Sequence, residues 1–370
     1  RLGLTVGQEL TQEQINNLNE DIVWYVTKEV NGIEVLAPQV YLSKNTRSII
    51  NDDTRNRVGG INGTYIETNN FVNNGTKYGN GGMTVVKANT VRNETATNLL
   101  SEISGDRTFV SSVGNIENIG GLIEGRDLVS VVSQNGDVIN RTTTREVGYN
   151  NGELDRTRFT DVVSVAEIFS KNGSTYIQGK NYTSTGAVTA GNTVRIDASE
   201  NVNINALKLT GEQKFGRNDD NYGSYGFVNH LQSAVNGTGG VMITSGKDTN
   251  ISGSQVASLG NVNINARNIN VTNVVNSESI ESKRVNSGFI STETKTNSAY
   301  IESNQGSQIF GNNVVLDSKK DTNVIASNVM ANRDEFGNGG NILITAGNNV
   351  NILSDTTSQS SSSTTSKSRS

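Results

Sequence analysis

The sequence predicts an all-β chain: a right-handed parallel β-helix (β-solenoid) with hairpin-like excursions and a short N-terminal helix. Three observations predict it. First, five-residue stretches alternate strictly between apolar and polar side chains, as in Val194-Arg195-Ile196-Asp197-Ala198, Val202-Asn203-Ile204-Asn205-Ala206 and Val262-Asn263-Ile264-Asn265-Ala266. Such stretches are short strands with one dry face and one wet face. Second, the frame Val241-Met242-Ile243-Thr244-Ser245-Gly246-Lys247-Asp248-Thr249-Asn250-Ile251 returns at 314–324 with Lys-Asp-Thr-Asn intact, and again at 342–352. Residues 194–204 fit the frame and 122–127 fit it loosely, while Val241 to Val262 is a step of 21 residues. A step near 20 suits one coil of three strands and three turns. Third, the chain holds 53 asparagines but one proline, Pro38. Proline would remove a rung hydrogen bond, whereas asparagine tolerates left-handed turns and can form amide ladders between coils.

The opening stretch differs. Thr11-Gln12-Glu13-Gln14 reads as a capping box, and Ile15, Leu18, Ile22 and Tyr25 or Val26 recur at helical spacing. A helix is therefore expected over about 11–30, ended by Asn31-Gly32, followed by strands at Ile33-Glu34-Val35-Leu36 and Val40-Tyr41-Leu42. Residues 1–45 are read as this helix and short strands leading into the solenoid, and 46–354 as the coils. Residues near 212–235 and 276–312 do not fit the coil and are expected to leave it as long hairpins. The Ser/Thr-rich tail, 355–370, is expected to be disordered or the first half of a further excursion. Arg1 is not an initiator methionine, so the chain is expected to be a fragment.

Composition excludes several chemistries. The absence of cysteine removes disulfides, thiol nucleophiles and cysteine-ligated zinc. A single histidine, His230, removes multi-histidine metal sites. There are 31 basic and 36 acidic residues, a net charge of −5, which argues against a nucleic-acid partner. No run of about 18 apolar residues is present to cross a bilayer as a helix. The modest charge and the frequent Val, Ile and Thr argue against wholesale disorder.

The order of the blocks carries a resemblance. Leu10-Thr11-Gln12-Glu13-Gln14 precedes Asp21-Ile22-Val23-Trp24-Tyr25-Val26 and Pro38-Gln39-Val40-Tyr41-Leu42. Coil motifs such as Gly339-Gly340-Asn341-Ile342-Leu343-Ile344-Thr345-Ala346-Gly347-Asn348 follow, and Ser252-Gly253-Ser254-Gln255-Val256 follows an earlier copy. The excursion contains Ser277-Glu278-Ser279, Ser287-Gly288-Phe289-Ile290-Ser291 and Thr292-Glu293-Thr294-Lys295-Thr296. Together these resemble the stalk of filamentous haemagglutinin-type exoproteins of two-partner secretion, especially the haemagglutinin-repeat region of contact-dependent growth inhibition effectors. At one turn the family's Gly-Arg-Asp stands as Gly125-Arg126-Asp127, whereas later copies read Gly246-Lys247-Asp248 and Gly347-Asn348-Asn349. The resemblance implies a secreted shaft on a Gram-negative surface, exported through an outer-membrane transporter partner. It would present a binding tip to a target-cell or host-cell surface, or deliver a carboxy-terminal toxin to a contacted bacterium. The alternatives are a host-cell adhesin shaft without toxin and a carbohydrate-active β-helix enzyme.

No catalytic, cofactor-binding or metal-binding residue is expected, and neither a cofactor nor a small-molecule substrate. His230 has no Ser or Asp in a triad-like local context and is expected on the surface. Trp24 is expected to pack the helix against the first coil, with sugar stacking as the lesser reading. Asn218-Asp219-Asp220-Asn221 and Asp52-Asp53 offer oxygens but lack the spaced carboxylates of a calcium loop. The Asn-x-Ser/Thr triplets, among them Asn62-Gly63-Thr64 and Asn172-Gly173-Ser174, are expected by chance at this asparagine content.

Overall fold

The computed structural model describes residues 5, 7–30, 33–44 and 55–369. It divides into two compact units, 1–56 and 57–370. The first unit corrects the expected long helix. Within the expected 11–30, only Gln12–Asn16 is helical, and the predicted capping box is present: Gln14 N donates to Thr11 Oγ1 at 3.2 Å, and Thr11 N donates to Gln14 Oε1 at 2.9 Å. Ile22–Val30 is instead a strand, antiparallel to Ile33–Tyr41, with Ile22 opposite Tyr41. The spacing at 15, 18, 22 and 26 satisfied a helix, but within the run a period of two wins. Ile22, Trp24 and Val26 pack with Leu10, Leu18 and Tyr41, while Val23 and Tyr25 are exposed. A stretch rich in β-branched and aromatic residues fits such a half-buried ribbon better than a helix. The two predicted strand fragments merge through Pro38, which a two-stranded sheet tolerates because each strand has a free edge. The expected helix stop, Asn31-Gly32, lies outside the described residues.

The second unit is a stack of coils in one parallel sheet system. Each coil contributes three strand segments, here called faces A, B and C. On face B the inward column runs Val129, Thr175, Val194, Val241, Val262, Val314 and Ile342, each paired in register with the next. The repeats at 194, 241, 314 and 342 therefore stack directly. The looser member does not: Leu122 pairs with Glu102 and Glu167 on face A. Gly125-Arg126-Asp127 accordingly bends the chain from A to B, whereas Gly246-Lys247-Asp248 turns it from B to C. Their different chemistry reflects different corners. The core is one continuous column of small β-branched side chains, including Ile103, Ile123, Ile168, Ile196, Ile243 and Ile264, all fully buried.

Asparagine ladders run both outside and inside. On the outer side of face C, Asn250 Nδ2 donates to Asn203 Oδ1 at 2.9 Å, Asn270 to Asn250 at 2.8 Å, and Asn323 to Asn270 at 2.8 Å. The inner ladder was not anticipated. Asn73, Asn93, Asn118 and Asn140 are buried, and each donates to the Oδ1 of the next at 2.8–2.9 Å. Further up the stack the same column becomes Ser184, Ile204 and Ile251, so a polar core passes into an apolar one.

Three hairpins leave the stack, pairing Thr143–Asn150 with Asp155–Ser164, Leu207–Asn218 with Asn221–Leu231, and Val274–Ser287 with Ser291–Gln305. The second and third lie close to the expected 212–235 and 276–312. The tail is ordered as a strand: Gln359–Arg369 pairs antiparallel with Ser291–Gln305, Ile301 opposite Gln359. These seven strands form one antiparallel sheet. Each hairpin departs after a face C strand and returns to face A, and one coil without an excursion lies between successive hairpins. Two coils advance the stack by about 10 Å, and two hairpin strands advance a sheet by the same amount. The side sheet therefore grows in step with the solenoid.

Candidate functional site

The residues weighed in the sequence do not converge. Trp24 lies in the hairpin of the first unit, where its Nε1 donates to the Thr5 carbonyl at 3.2 Å. It packs on a ribbon, since the expected helix is not there. His230 is half-buried on the second excursion rather than exposed, with Nδ1 2.8 Å from Asn276 Oδ1. Asn218-Asp219-Asp220-Asn221 forms a hairpin tip, where Asp220 pairs with Lys283 at 2.7 Å and Asn218 Oδ1 accepts from Asp220 N. Among the described residues, no group of three or more acidic or histidine side chains could hold a metal. Asp52 and Asp53 lie outside the described residues.

Two surfaces stand out. One is the side sheet, one face of which gathers aromatic and aliphatic side chains alongside the Arg145–Asp161 ion pair. Val147, Phe159, Phe227 and Ile301 share one face with Tyr225, Ile280 and Phe215. Glycines make room for the rings: a Cβ on Gly211 would lie 2.1 Å from the Phe227 ring, and one on Gly223 2.6 Å from that of Phe215. The opposite face carries ion pairs such as Arg158–Glu146 at 3.1 Å and Arg156–Glu212 at 3.7 Å.

The other is a trough on the outside of face A, with a volume of about 530 Å³. Its floor is an outward column formed by Phe169, Ala190, Asn236, Ala257 and Phe310, paired in that order. Alternation places these side chains outward because their neighbours Ile168, Thr189, Val235, Val256 and Ile309 point into the core. Small side chains on three successive coils leave the depression, and phenyl rings close both ends. The rim carries Asn192 and Thr238, whose hydroxyl donates to Asn192 Oδ1 at 2.9 Å. Lys171, the one charged residue on the lining, is paired with Glu124 at 2.7 Å, and that carboxylate holds its ammonium above the usual lysine range.

Comparison with known proteins gives these surfaces a context. The hemagglutinin repeat family matches residues 216–287 and 288–370. The first match ends at the tip of the third hairpin and the second begins there. Residues 216–370 are hemagglutinin repeats. Each hemagglutinin repeat thus runs from one hairpin tip through two coils toward the next excursion. The chain is 34% identical over 232 residues to the tRNA nuclease CdiA of Yersinia mollaretii, covering 59% of this chain and 8% of that protein. It is 32% identical over 193 residues to the protein adenylyltransferase and cysteine protease IbpA of Histophilus somni, covering 46% and 5%. It is 45% identical over 51 residues to filamentous hemagglutinin of Bordetella pertussis, covering 14% and 1%. The chain therefore spans less than a tenth of the curated relatives it matches. No solved structure matches it. It is a secreted protein of the Gram-negative cell surface.

Proposed function

We propose that this segment is a β-helical stalk of a secreted surface filament, which presents a binding tip or delivers a carboxy-terminal toxin to a contacted bacterium. One observation carries the reading: coils stack in register from Arg57 to Leu353, and hemagglutinin repeats coincide with two-coil units of that stack. Such a stack advances about 4.8 Å per coil and needs only its neighbour to be stable, which suits a long spacer that folds as it emerges. An outer-membrane transporter would be the export partner, and a target-cell envelope the contact partner. The segment itself would carry no catalysis; any enzymatic activity would belong to other regions of the full protein. Residues 1–45 would introduce the shaft, 46–354 form it with its excursions, and 355–370 continue into the next one.

Deleting 207–273 removes one hairpin and two coils and rejoins equivalent positions. A parent filament carrying that deletion should still be exported, displayed and active in contact assays. Normal display with loss of contact activity would overturn the spacer reading. Growth inhibition of non-immune bacteria supports toxin delivery, whereas host-cell adherence alone supports the adhesin alternative.

A further inference from the structure

We infer that the trough on face A is a binding site for a neutral, linear glycan. The chemistry of its lining selects that class. Phe169 and Phe310 are four rungs apart, about 19 Å at the usual strand spacing. Between their rings lie the methyl groups of Ala190 and Ala257, an apolar floor for the C–H faces of sugar rings. At the centre stands Asn236. Asparagines on the outer side of face C bond to their neighbours above and below, but Asn236 sits between two alanines and has no ladder partner. Its donor and acceptor are free to face a ligand, as are those on the rim at Asn192 and Thr238 that their mutual bond does not use.

Charge settles the class further. Lys171 is already neutralised by Glu124, so the site offers no unpaired charge to an anionic polymer. A pocket of 300–1,000 Å³ with mostly apolar walls and a few convergent polar groups is what small-ligand sites look like in general. An amide and two phenyl rings spaced along an axis match a chain of hydroxylated rings better than a peptide strand. A strand would seek backbone donors and acceptors, and the pairing of each coil with the next occupies those of the floor. This inference does not depend on the stalk reading, because it concerns binding by the chain alone.

The test is isothermal titration of the 370-residue chain with cellohexaose and with chitohexaose, with polygalacturonate as an anionic comparison. At least one neutral hexasaccharide should bind. Phe310→Ala or Phe169→Ala should weaken binding about tenfold through loss of one stacking face. Asn236→Ala should weaken it several-fold, and Ala257→Phe should abolish it by filling the floor. Tyr176→Ala, on neighbouring face B, should leave binding unchanged, and circular dichroism of every variant should match the parent. Absence of binding to both neutral probes, preference for polygalacturonate, equal loss in Tyr176→Ala, or occupation of the trough by a second copy in sedimentation would each overturn the inference.

Discussion

Replacing Asn93 by leucine should cost far more than the same change at Asn270, although both belong to amide ladders. Asn93 is fully buried. Its Oδ1 accepts from Asn73 Nδ2 at 2.9 Å, and its Nδ2 donates to Asn118 Oδ1 at 2.8 Å and to the Leu122 and Ser101 carbonyls at 3.2 and 3.3 Å. Leucine keeps the approximate volume but removes every one of these bonds. Asn118 Oδ1 is left without the Asn93 donor in a place water does not reach, a loss of about 1–3 kcal/mol for one buried group. Interruption of the neighbouring bonds adds about 1 kcal/mol each, so the total is about 3–5 kcal/mol. Asn270 also accepts and donates at 2.8 Å, but on the half-buried outer side. Water can replace its partners there, and the expected cost is about 1 kcal/mol or less. A solenoid behaves as a one-dimensional array, so hydrogen exchange resolved by segment is the suitable assay. Asn93→Leu should lower protection in coils spanning 71–141 and leave those around 250–324 near parental values. Equal effects of the two substitutions, or a neutral Asn93→Leu, would refute the distinction between inner and outer ladders.

Other outcomes follow from the same structure. Ile264→Asp places a carboxylate in the fully buried column and should unfold the coils around it, whereas Asn263→Asp, on the wet face, should shift the melting temperature little. Burial, with the Glu124 carboxylate adding to it, holds the Glu167 carboxyl above its ordinary value of 4.5. An acid raised on folding loses stability as pH rises past its unfolded value. Glu167→Gln should therefore raise the melting temperature at pH 7 but not at pH 3.5, where both states are protonated. A Cβ on Gly246 would lie 2.1 Å from the Ser199 carbonyl oxygen, whereas one on Gly240 finds its nearest contact at 3.5 Å. Gly246→Ala should cost about 1–3 kcal/mol in urea unfolding and Gly240→Ala clearly less. Removing only the second hairpin, 207–231, should leave the coils intact by circular dichroism but open a two-strand gap in the side sheet, exposing to exchange those amides of Asp155–Phe159 that pair with the deleted strand.

The coil core was legible because its signal is local. Val194, Val241, Val314 and Ile342 stand at the head of the same frame, and the structure stacks them. Period two on one buried face leaves no second register. The N-terminal ribbon was misread because 15, 18, 22 and 26 satisfy a helical stripe while 22, 24 and 26 satisfy a strand, and length favoured the helix. The first hairpin went unseen: Val147 and Phe159 are separated by a polar stretch whose turn signal, Asn150-Asn151-Gly152, resembles the corners of the coils. The tail was left between disorder and the first half of a further excursion for a different reason. Gln359–Arg369 is held by backbone pairing to an existing strand, and serine side chains carry no trace of that. The trough was equally silent, because Ala190, Asn236 and Ala257 are distant in sequence and become neighbours only through the stacking register.

The repeat itself has a physical reason to be two coils long. An excursion that leaves face C and returns to face A must travel out and back, so it adds two antiparallel strands. Those strands occupy about 10 Å of sheet, whereas one coil advances the stack by half that. A hairpin on every coil would crowd the side sheet, and one on every third coil would leave it open between hairpins. An excursion on alternate coils alone allows both sheets to be hydrogen-bonded throughout. The coils after Val138–Arg141, Val202–Asn205 and Asn268–Thr272 carry hairpins, while those after Tyr182–Thr185, Asp248–Ser252 and Asp321–Ile325 pass directly on. The boundary between the two hemagglutinin-repeat matches, at residues 287 and 288, then falls at a hairpin tip because the tip is where one commensurate unit ends and the next begins.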